Sequence, residues 1–212
     1  MDRGLHTIGM GSGFFVRNDA RLLTNKHVVE KCAAVSVETA DGNEALATVL
    51  AIAPESDLAL IKVDAAAPAV ATFREKVRMD GHRAVVIGYP SHGLPRIKPT
   101  LVPAALMGPV SMDGQRFVLQ GDIRPGNSGG PVLDESGLVV GVVFGKINTV
   151  AVYQNTGRNV EDIGFAITNE TALTFLAHNG ITVATATNGP KLDDDTLFED
   201  GRKFIARVVC WH

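Results

Sequence analysis

A serine between glycines is the clearest candidate for chemistry in this sequence. Ser128 lies in the segment Gly121–Pro131, with Gly126 and Gly129 close on either side. A serine hydroxyl is a weak nucleophile, and attack on a carbonyl needs a base for its proton and fixed N–H donors for the oxyanion. Because glycine permits a tight backbone turn, the N–H groups of Gly126 and Ser128 can point to one place. We therefore expect an oxyanion hole at these two residues.

A base and an acid precede this serine in the chain. His27 lies at a predicted junction of strand and turn among apolar residues, and Asp57 begins an apolar run later in the first half. The imidazole can accept the serine proton through one ring nitrogen, while Asp57 holds the other nitrogen and stabilises the imidazolium. Each residue alone has a structural explanation as a strand-end histidine, a turn aspartate or a loop serine. Their combination, in the order His, Asp, Ser, is far more specific.

The composition limits the classes of protein to which the chain can belong. Its 212 residues suffice for one or two domains with a large core, and a hydrophobic content of 45% excludes general disorder. The formal net charge is −3 with both signs interspersed, which is no footprint for nucleic acid. No apolar run is long enough to span a bilayer. An oligomer is possible, but no residue pattern argues for one.

Short strand-like runs position the candidate residues in two halves. About six strands are predicted before residue 65, and the pattern restarts after Asp64–Pro68. We expect an N-terminal barrel at 1–68 carrying His27 and Asp57, a C-terminal barrel at 69–185 carrying Ser128, and a tail at 186–212 that packs back on the body. One helix is predicted over Glu170–His178 with Asn169 as N-cap. The run Leu192–Asp195 is predicted to be an acidic surface loop.

The two cysteines, Cys32 and Cys210, bear on the cellular compartment. They are too few for a zinc site and leave two alternatives, separate buried thiols or one disulfide. A disulfide would close a long loop and contribute about 5 kcal/mol in the chain-entropy model. Residues 1–4 lead into domain-like sequence without a secretory signal, which suits either a cytoplasmic protein or a piece of an exported precursor. We favour the disulfide, and therefore a protein that is exported to the periplasm or secreted.

The motifs together resemble the trypsin-like serine proteases of chymotrypsin fold, and most closely the bacterial HtrA/Deg type. The resemblance covers roughly residues 9 to 178, without a PDZ-like module after Ile167. It implies an all-β fold of two six-stranded antiparallel β-barrels with a cleft between them and a short C-terminal helix. It also implies peptide-bond hydrolysis through an acyl-enzyme, with a polypeptide substrate and no metal or cofactor. The matching segments are Gly11–Phe14, Thr24–Val29, Asp57–Ile61, Gly88–Pro90, Gly126–Pro131 and Gly164–Ile167.

Carried over residue by residue, the resemblance assigns a role to each candidate. Ser128 would be the nucleophile, His27 the general base and acid, and Asp57 the orienting carboxylate. The strand over Val142–Gly145, with Val143, Phe144 and Gly145, would pair with the substrate backbone. Ile123 and Phe144 would line the pocket for the residue before the scissile bond.

Two departures from the trypsin pattern qualify these roles. Asn127 stands where many trypsin-like zymogens carry the aspartate that pairs with a new N-terminus, so activation by that ion pair is not expected. Asp122 lies at the position of trypsin's specificity acid, which taken literally predicts cleavage after Lys or Arg. The sequence favours instead an Asp122 that is solvated or bonded to Arg124, and a small-to-medium apolar pocket at Ile123.

Two other functions are compatible with parts of this sequence. Gly126, Ser128 and Gly130 also fit the nucleophile elbow of esterases, but Pro131 and a β-run follow where that fold needs a helix. A catalytically silent peptide-binding or scaffold module on the protease fold is the stronger alternative. All three triad residue types are present, so the sequence favours the enzyme.

Overall fold

A computed structural model describes residues 4–78, 81–91, 98–110, 113–146 and 162–212. Within these residues, six antiparallel strands close into a first barrel in the order β1-β14-β3-β4-β5-β2. Alternating apolar residues fill its interior, including Phe15, Leu22, Ile61 and Val208. The strands are β1 (Thr7–Arg17), β2 (Arg21–Asn25), β3 (Ala34–Thr39), β4 (Glu44–Ala53), β5 (Leu58–Val63) and β14 (Ile205–Trp211).

The second barrel is built from the middle of the chain. Its strands run in the order β10-β7-β8-β9-β12-β11, and pairing of β10 with β11 closes the ring. The strands are β7 (Arg83–Gly88), β8 (Thr100–Pro109), β9 (Arg116–Gln120), β10 (Pro131–Asp134), β11 (Val139–Lys146) and β12 (Ile163–Thr168). Two short strands, β6 (Phe73–Arg74) and β13 (Thr185–Ala186), extend this sheet in parallel beside β11. The predicted fold of two six-stranded antiparallel barrels is therefore confirmed.

The C-terminal strand belongs to the first barrel. The strand β14 pairs with β1 and β3 and supplies the sixth strand, so the chain forms five strands before residue 65, where about six were predicted. The apolar run of β14 is typical of a strand, but its partners β1 and β3 lie about 170 to 200 residues earlier in the sequence. A disulfide between Cys32 and Cys210, with Cα atoms 5.1 Å apart, links this strand to the segment that precedes β3. The division at 68 and 185 stays a prediction.

Three helices accompany the strands in the described residues: α1 (Lys26–Val29), α2 (Asn169–His178) and α3 (Asp194–Gly201). The N-cap of α2 is Thr168, whose Oγ1 accepts from Thr171 N at 3.4 Å, and not Asn169 as predicted.

The helix α3 corrects the prediction of an acidic loop at Leu192–Asp195. Asp193 is its N-cap and accepts from Thr196 N at 2.9 Å, and the hydrogen bonds from Thr196 lower the pKa of Asp193. Carboxylates in a first helical turn are stabilised by the exposed N–H groups and the helix dipole.

An apolar layer joins the two barrels. Phe14, Leu23 and Leu58 from the first barrel share one buried cluster with Ile87 and Val142 from the second. The barrels therefore meet along a packed interface, which fixes the loop around Ser128 relative to α1 and the start of β5.

Candidate active site

His27 and Asp57 are joined by two hydrogen bonds at one end of the first barrel. His27 Nδ1 lies 2.6 Å from Asp57 Oδ2, and the His27 backbone N–H donates to Asp57 Oδ1 at 3.0 Å. Because an ionised carboxylate can only accept, the short contact places a proton on Nδ1. Nε2 is then the nitrogen left to exchange a proton with another group.

The backbone around Asp57 is held as firmly as its side chain. Asp57 has a positive φ of 57° and is buried, and its carbonyl accepts from Asn25 Nδ2 at 3.0 Å and from Lys26 N at 2.9 Å. The ends of β2 and α1 are thereby tied to the start of β5. These hydrogen bonds hold the Asp57 carboxylate beside Nδ1 of the imidazole.

The Ser128 loop of the second barrel lies against the same end of the first barrel. Ser12 N on β1 donates to Ser128 O at 2.8 Å. A Cβ added to Gly11 would lie 2.6 Å from Val28 Cγ2 and 2.9 Å from Ser128 O. Since Val28 directly follows His27, these contacts bring Ser128 next to the helix that carries the imidazole.

A tight turn precedes the serine. Asn127 N donates to Arg124 O at 3.1 Å, which closes a four-residue turn over Arg124–Asn127. Gly126 occupies its third position with a φ of 94°, as a type II turn requires. A Cβ at Gly126 would collide with Tyr89 O, so this position accepts only glycine.

Two carbonyl groups determine where the N–H groups of the loop point. Pro125 O accepts from Ser91 N at 2.8 Å, and Asn127 O accepts from Gly130 N at 2.9 Å. In a trans peptide the N–H points opposite to the C=O of the preceding residue. Both peptides are trans, so Gly126 N–H points away from Ser91 and Ser128 N–H points away from the Gly130 N–H. Within the described part of the chain, neither N–H group has a hydrogen-bond acceptor. Both donors are available to a ligand.

The predicted substrate-binding strand is hydrogen-bonded to the nucleophile loop at one residue and has free space at another. Val143 is buried, and its backbone bonds with Gly129 N and Gly130 O at 2.9 Å clamp the nucleophile loop. A register shift follows between Val143 and Gly145, and a Cβ at Gly145 would meet no atom within 4 Å. The Phe144 ring stands edge-on to the His27 ring, with centroids 6.2 Å apart. Phe144 thus lies beside the imidazole, and Gly145 follows it with open space next to its Cα.

The residues predicted to set specificity differ in burial. Ile123 is 1% exposed and packs against Gly164 in the interior of the second barrel. Asp122 accepts from Arg124 Nε at 2.7 Å, and this hydrogen bond raises the pKa of Arg124. Both side chains of that pair are more than 40% exposed. The structure places Asp122 in the ion pair that the sequence favoured.

Sequence reasoning missed two residues at the site. The guanidinium of Arg116 lies over the Phe144 ring, 4.3 Å from its centroid, although nothing in the sequence distinguishes this arginine. The hydroxyl of Ser12 is fully buried against the loop before Ser128. The glycines on both sides of Ser12 were the available signal, because they indicate close approach of another backbone.

The described residues offer no cluster of three or more His, Cys, Asp or Glu side chains that could hold a metal ion. None of the helices in the described ranges has the length and apolar character needed to cross a bilayer.

A pair of antiparallel barrels, with a serine loop against a His–Asp pair at their junction, defines the chymotrypsin-like fold. The chain belongs to the family of the trypsin-like peptidase domain, whose family model matches residues 11–142. That segment includes His27, Asp57 and Ser128.

Relatives of this chain come from several bacteria. It is 33% identical to the uncharacterized protein y4bJ of Sinorhizobium fredii over 94% of this chain and 32% of that protein. It is 34% identical to a DegP-like periplasmic serine endoprotease of Chlamydia trachomatis over 74% of this chain and 31% of the relative. The predicted resemblance to HtrA/Deg proteins is confirmed. The chain spans about a third of the length of these curated relatives.

Solved structures agree on the fold. The Rv3671c protease in its inactive form is 29% identical with a TM-score of 0.65, covering 83% of this chain and 87% of that one. A serine endoprotease from Yersinia pestis has a TM-score of 0.68 at 23% identity, covering 82% of this chain and 60% of that one. The second likeness concerns the fold alone.

Proposed function

We propose that this domain is a serine endopeptidase with His27, Asp57 and Ser128 as its catalytic triad. The observation that carries the proposal is the contact of 2.6 Å between His27 Nδ1 and Asp57 Oδ2, beside a serine loop with two N–H groups that have no acceptor among the described residues. A carboxylate on Nδ1 leaves Nε2 as the base for a hydroxyl. The family and its protease relatives support the same reaction class.

The reaction follows from these roles. His27 Nε2 accepts the Ser128 proton while Oγ attacks the substrate carbonyl, and the oxyanion receives hydrogen bonds from Gly126 N and Ser128 N. The imidazolium, stabilised by Asp57, then donates its proton to the leaving amine, and an acyl-enzyme remains. Water attacks this ester with His27 again as the base, which releases the acid and restores Ser128.

An extended peptide is the substrate that suits the open end of β11. Phe144 lies beside the imidazole and Gly145 follows it with open space next to its Cα, so a substrate strand can add to this part of β11 through backbone hydrogen bonds. Ile123 is buried in the apolar core of the second barrel, and we propose a small or medium apolar side chain before the scissile bond. Asp122 is engaged by Arg124, which disfavours a preference for Lys or Arg.

We also propose that the protein works in an exported compartment. Disulfides persist in oxidising environments such as the bacterial periplasm, and Cys32 is bonded to Cys210. The name of the Chlamydia trachomatis relative places that protein in the periplasm.

A peptide-library cleavage profile tests the proposed activity and its specificity together. The wild-type protein should cut peptides internally, and Ser128→Ala should reduce the rate by a factor on the order of 10⁶. Equal turnover by the two proteins would assign the activity to a contaminant. Peptide binding with no turnover would instead establish the silent binding module.

A further inference from the structure

Ser12 on β1 connects the first barrel to the loop that precedes the nucleophile. Its hydroxyl is fully buried, donates to Gly126 O at 2.7 Å and accepts from Tyr89 N at 2.9 Å. Its backbone N–H donates to Ser128 O at 2.8 Å, and its carbonyl accepts from Thr24 Oγ1 at 2.7 Å. All the polar groups of Ser12 are therefore engaged, and two of them contact the candidate oxyanion loop.

These bonds hold the peptide groups on both sides of Gly126. A glycine has no Cβ to restrict its backbone, so its orientation depends on its hydrogen-bond partners. The Ser12 hydroxyl fixes the Gly126 carbonyl directly. It also anchors the Tyr89 backbone two residues before Ser91, whose N–H holds the Pro125 carbonyl. The Gly126 N–H shares a peptide with the Pro125 carbonyl, which Ser91 N holds directly. The Ser12 hydroxyl therefore acts on its direction through the adjoining Gly126 carbonyl and through the Tyr89 backbone.

The space around Ser12 suits a serine side chain. A Cβ added to Gly88 would lie 2.9 Å from Ser12 Oγ, and one added to Gly130 would lie 3.2 Å from Ser12 Cβ. A larger residue at position 12 would crowd Gly88 at the end of β7 and Gly130 just before β10. Alanine would fit, but it would leave the Gly126 carbonyl without its buried donor.

We propose that Ser12 is a positioning residue that aligns the Gly126 N–H of the oxyanion hole. The inference rests on the proposed function, because it assigns Ser12 a part in the same reaction. Ser12 acts through Gly126, so its loss weakens binding of the tetrahedral intermediate more than binding of the substrate.

The test compares Ser12→Ala with a matched variant, Ser36→Ala. Ser36 is also a fully buried serine of the first barrel with two side-chain bonds, donating to Glu44 at 2.7 Å and accepting from Trp211 Nε1 at 2.8 Å. Ser12→Ala should lower kcat about 10- to 100-fold with KM changed less than about twofold, since loss of a whole oxyanion donor costs about 10²- to 10³-fold. It should weaken a peptide boronate, which mimics the intermediate, by the same factor as kcat/KM. Ser36→Ala should lower the unfolding temperature and keep the wild-type kcat.

A second variant covers the case in which Ser12→Ala does not fold. Gly88→Ala places a methyl group 2.9 Å from the Ser12 hydroxyl and 3.3 Å from Asn127 Cα, and should produce at least the same loss in kcat and boronate affinity. The inference is overturned if a folded Ser12→Ala, or Gly88→Ala in its place, keeps kcat within twofold of the wild type. A wild-type protein that neither cleaves peptides nor reacts at Ser128 would overturn the proposed function itself, and this inference with it.

Discussion

Asp57 engages His27 at both the ring and the backbone: Oδ2 lies 2.6 Å from Nδ1 and Oδ1 accepts from the backbone N–H at 3.0 Å. One carboxylate therefore fixes both the orientation of the imidazole and the start of α1. The proposed catalytic base thus depends on a residue that is itself buried.

Replacing Asp57 by asparagine separates the charge from the geometry. Asparagine tolerates the positive φ of 57°, and its amide oxygen can still accept from the His27 backbone. Its NH₂ group, however, donates to Nδ1 and moves the ring proton to Nε2, where it blocks acceptance of the serine proton. Asp57→Asn should lower kcat by a factor on the order of 10⁴ while thermal unfolding remains close to wild type. A loss below tenfold in a folded variant would contradict the assignment of Asp57.

Gly126 provides a test of the oxyanion hole with a matched control. Its φ of 94° and the closeness of Tyr89 O mean that Gly126→Ala must move the turn, which should lower kcat by about 10²-fold or more. Gly42 has a similar φ of 83° with no atom within 4 Å of an added Cβ, so Gly42→Ala carries only the backbone strain. Gly42→Ala should lose about 1 to 2 kcal/mol in urea unfolding and keep its kcat. Equal kcat losses in the two variants would attribute the effect to strain.

The disulfide should contribute measurably to the stability of the first barrel. Cys32 and Cys210 are 178 residues apart in sequence, so their bond restricts most of the unfolded chain. Reduction, verified by thiol titration, should lower the free energy of unfolding by about 2 to 5 kcal/mol. The double variant Cys32→Ser, Cys210→Ser should match the reduced protein and be insensitive to reductant. Identical urea midpoints for oxidised and reduced wild type would argue against a structural role.

Asp122 should have little influence on which peptide bonds are cut. Its carboxylate accepts from Arg124 Nε at 2.7 Å on the surface, whereas Ile123 is buried in the core of the second barrel. Cleavage profiles of the wild type and Asp122→Ala should show the same preference for apolar residues before the cut. A wild-type preference for Lys or Arg that disappears in Asp122→Ala would restore the trypsin-like assignment.

Short local motifs explain why much of the candidate site could be predicted. The His27, Asp57 and Ser128 segments each combine a reactive side chain with a recognisable turn or strand start, and their order suggested the two-barrel fold. The turn at Gly126 follows directly from its glycine. Such features depend on a few adjacent residues, which a single sequence displays.

Long-range contacts explain what was missed. The run of β14 indicated a strand, but nothing in Ile205–Trp211 specifies pairing with β1 and β3. The contacts of the Ser12 hydroxyl depend on Gly126 and Tyr89, which are distant in sequence. The helix α3 was missed because its acidic first turn resembles a solvated loop until the cap at Asp193 is seen.

Labelling with a fluorophosphonate probe tests the central proposal most directly. The probe phosphonylates a serine only when a base activates the hydroxyl and N–H donors stabilise the charged oxygen. We predict one adduct per chain, located by mass spectrometry on Ser128, with no adduct in Ser128→Ala and strong slowing in His27→Ala. An unmodified Ser128 in folded protein that also cleaves no peptide, or an adduct on another serine, would contradict the account.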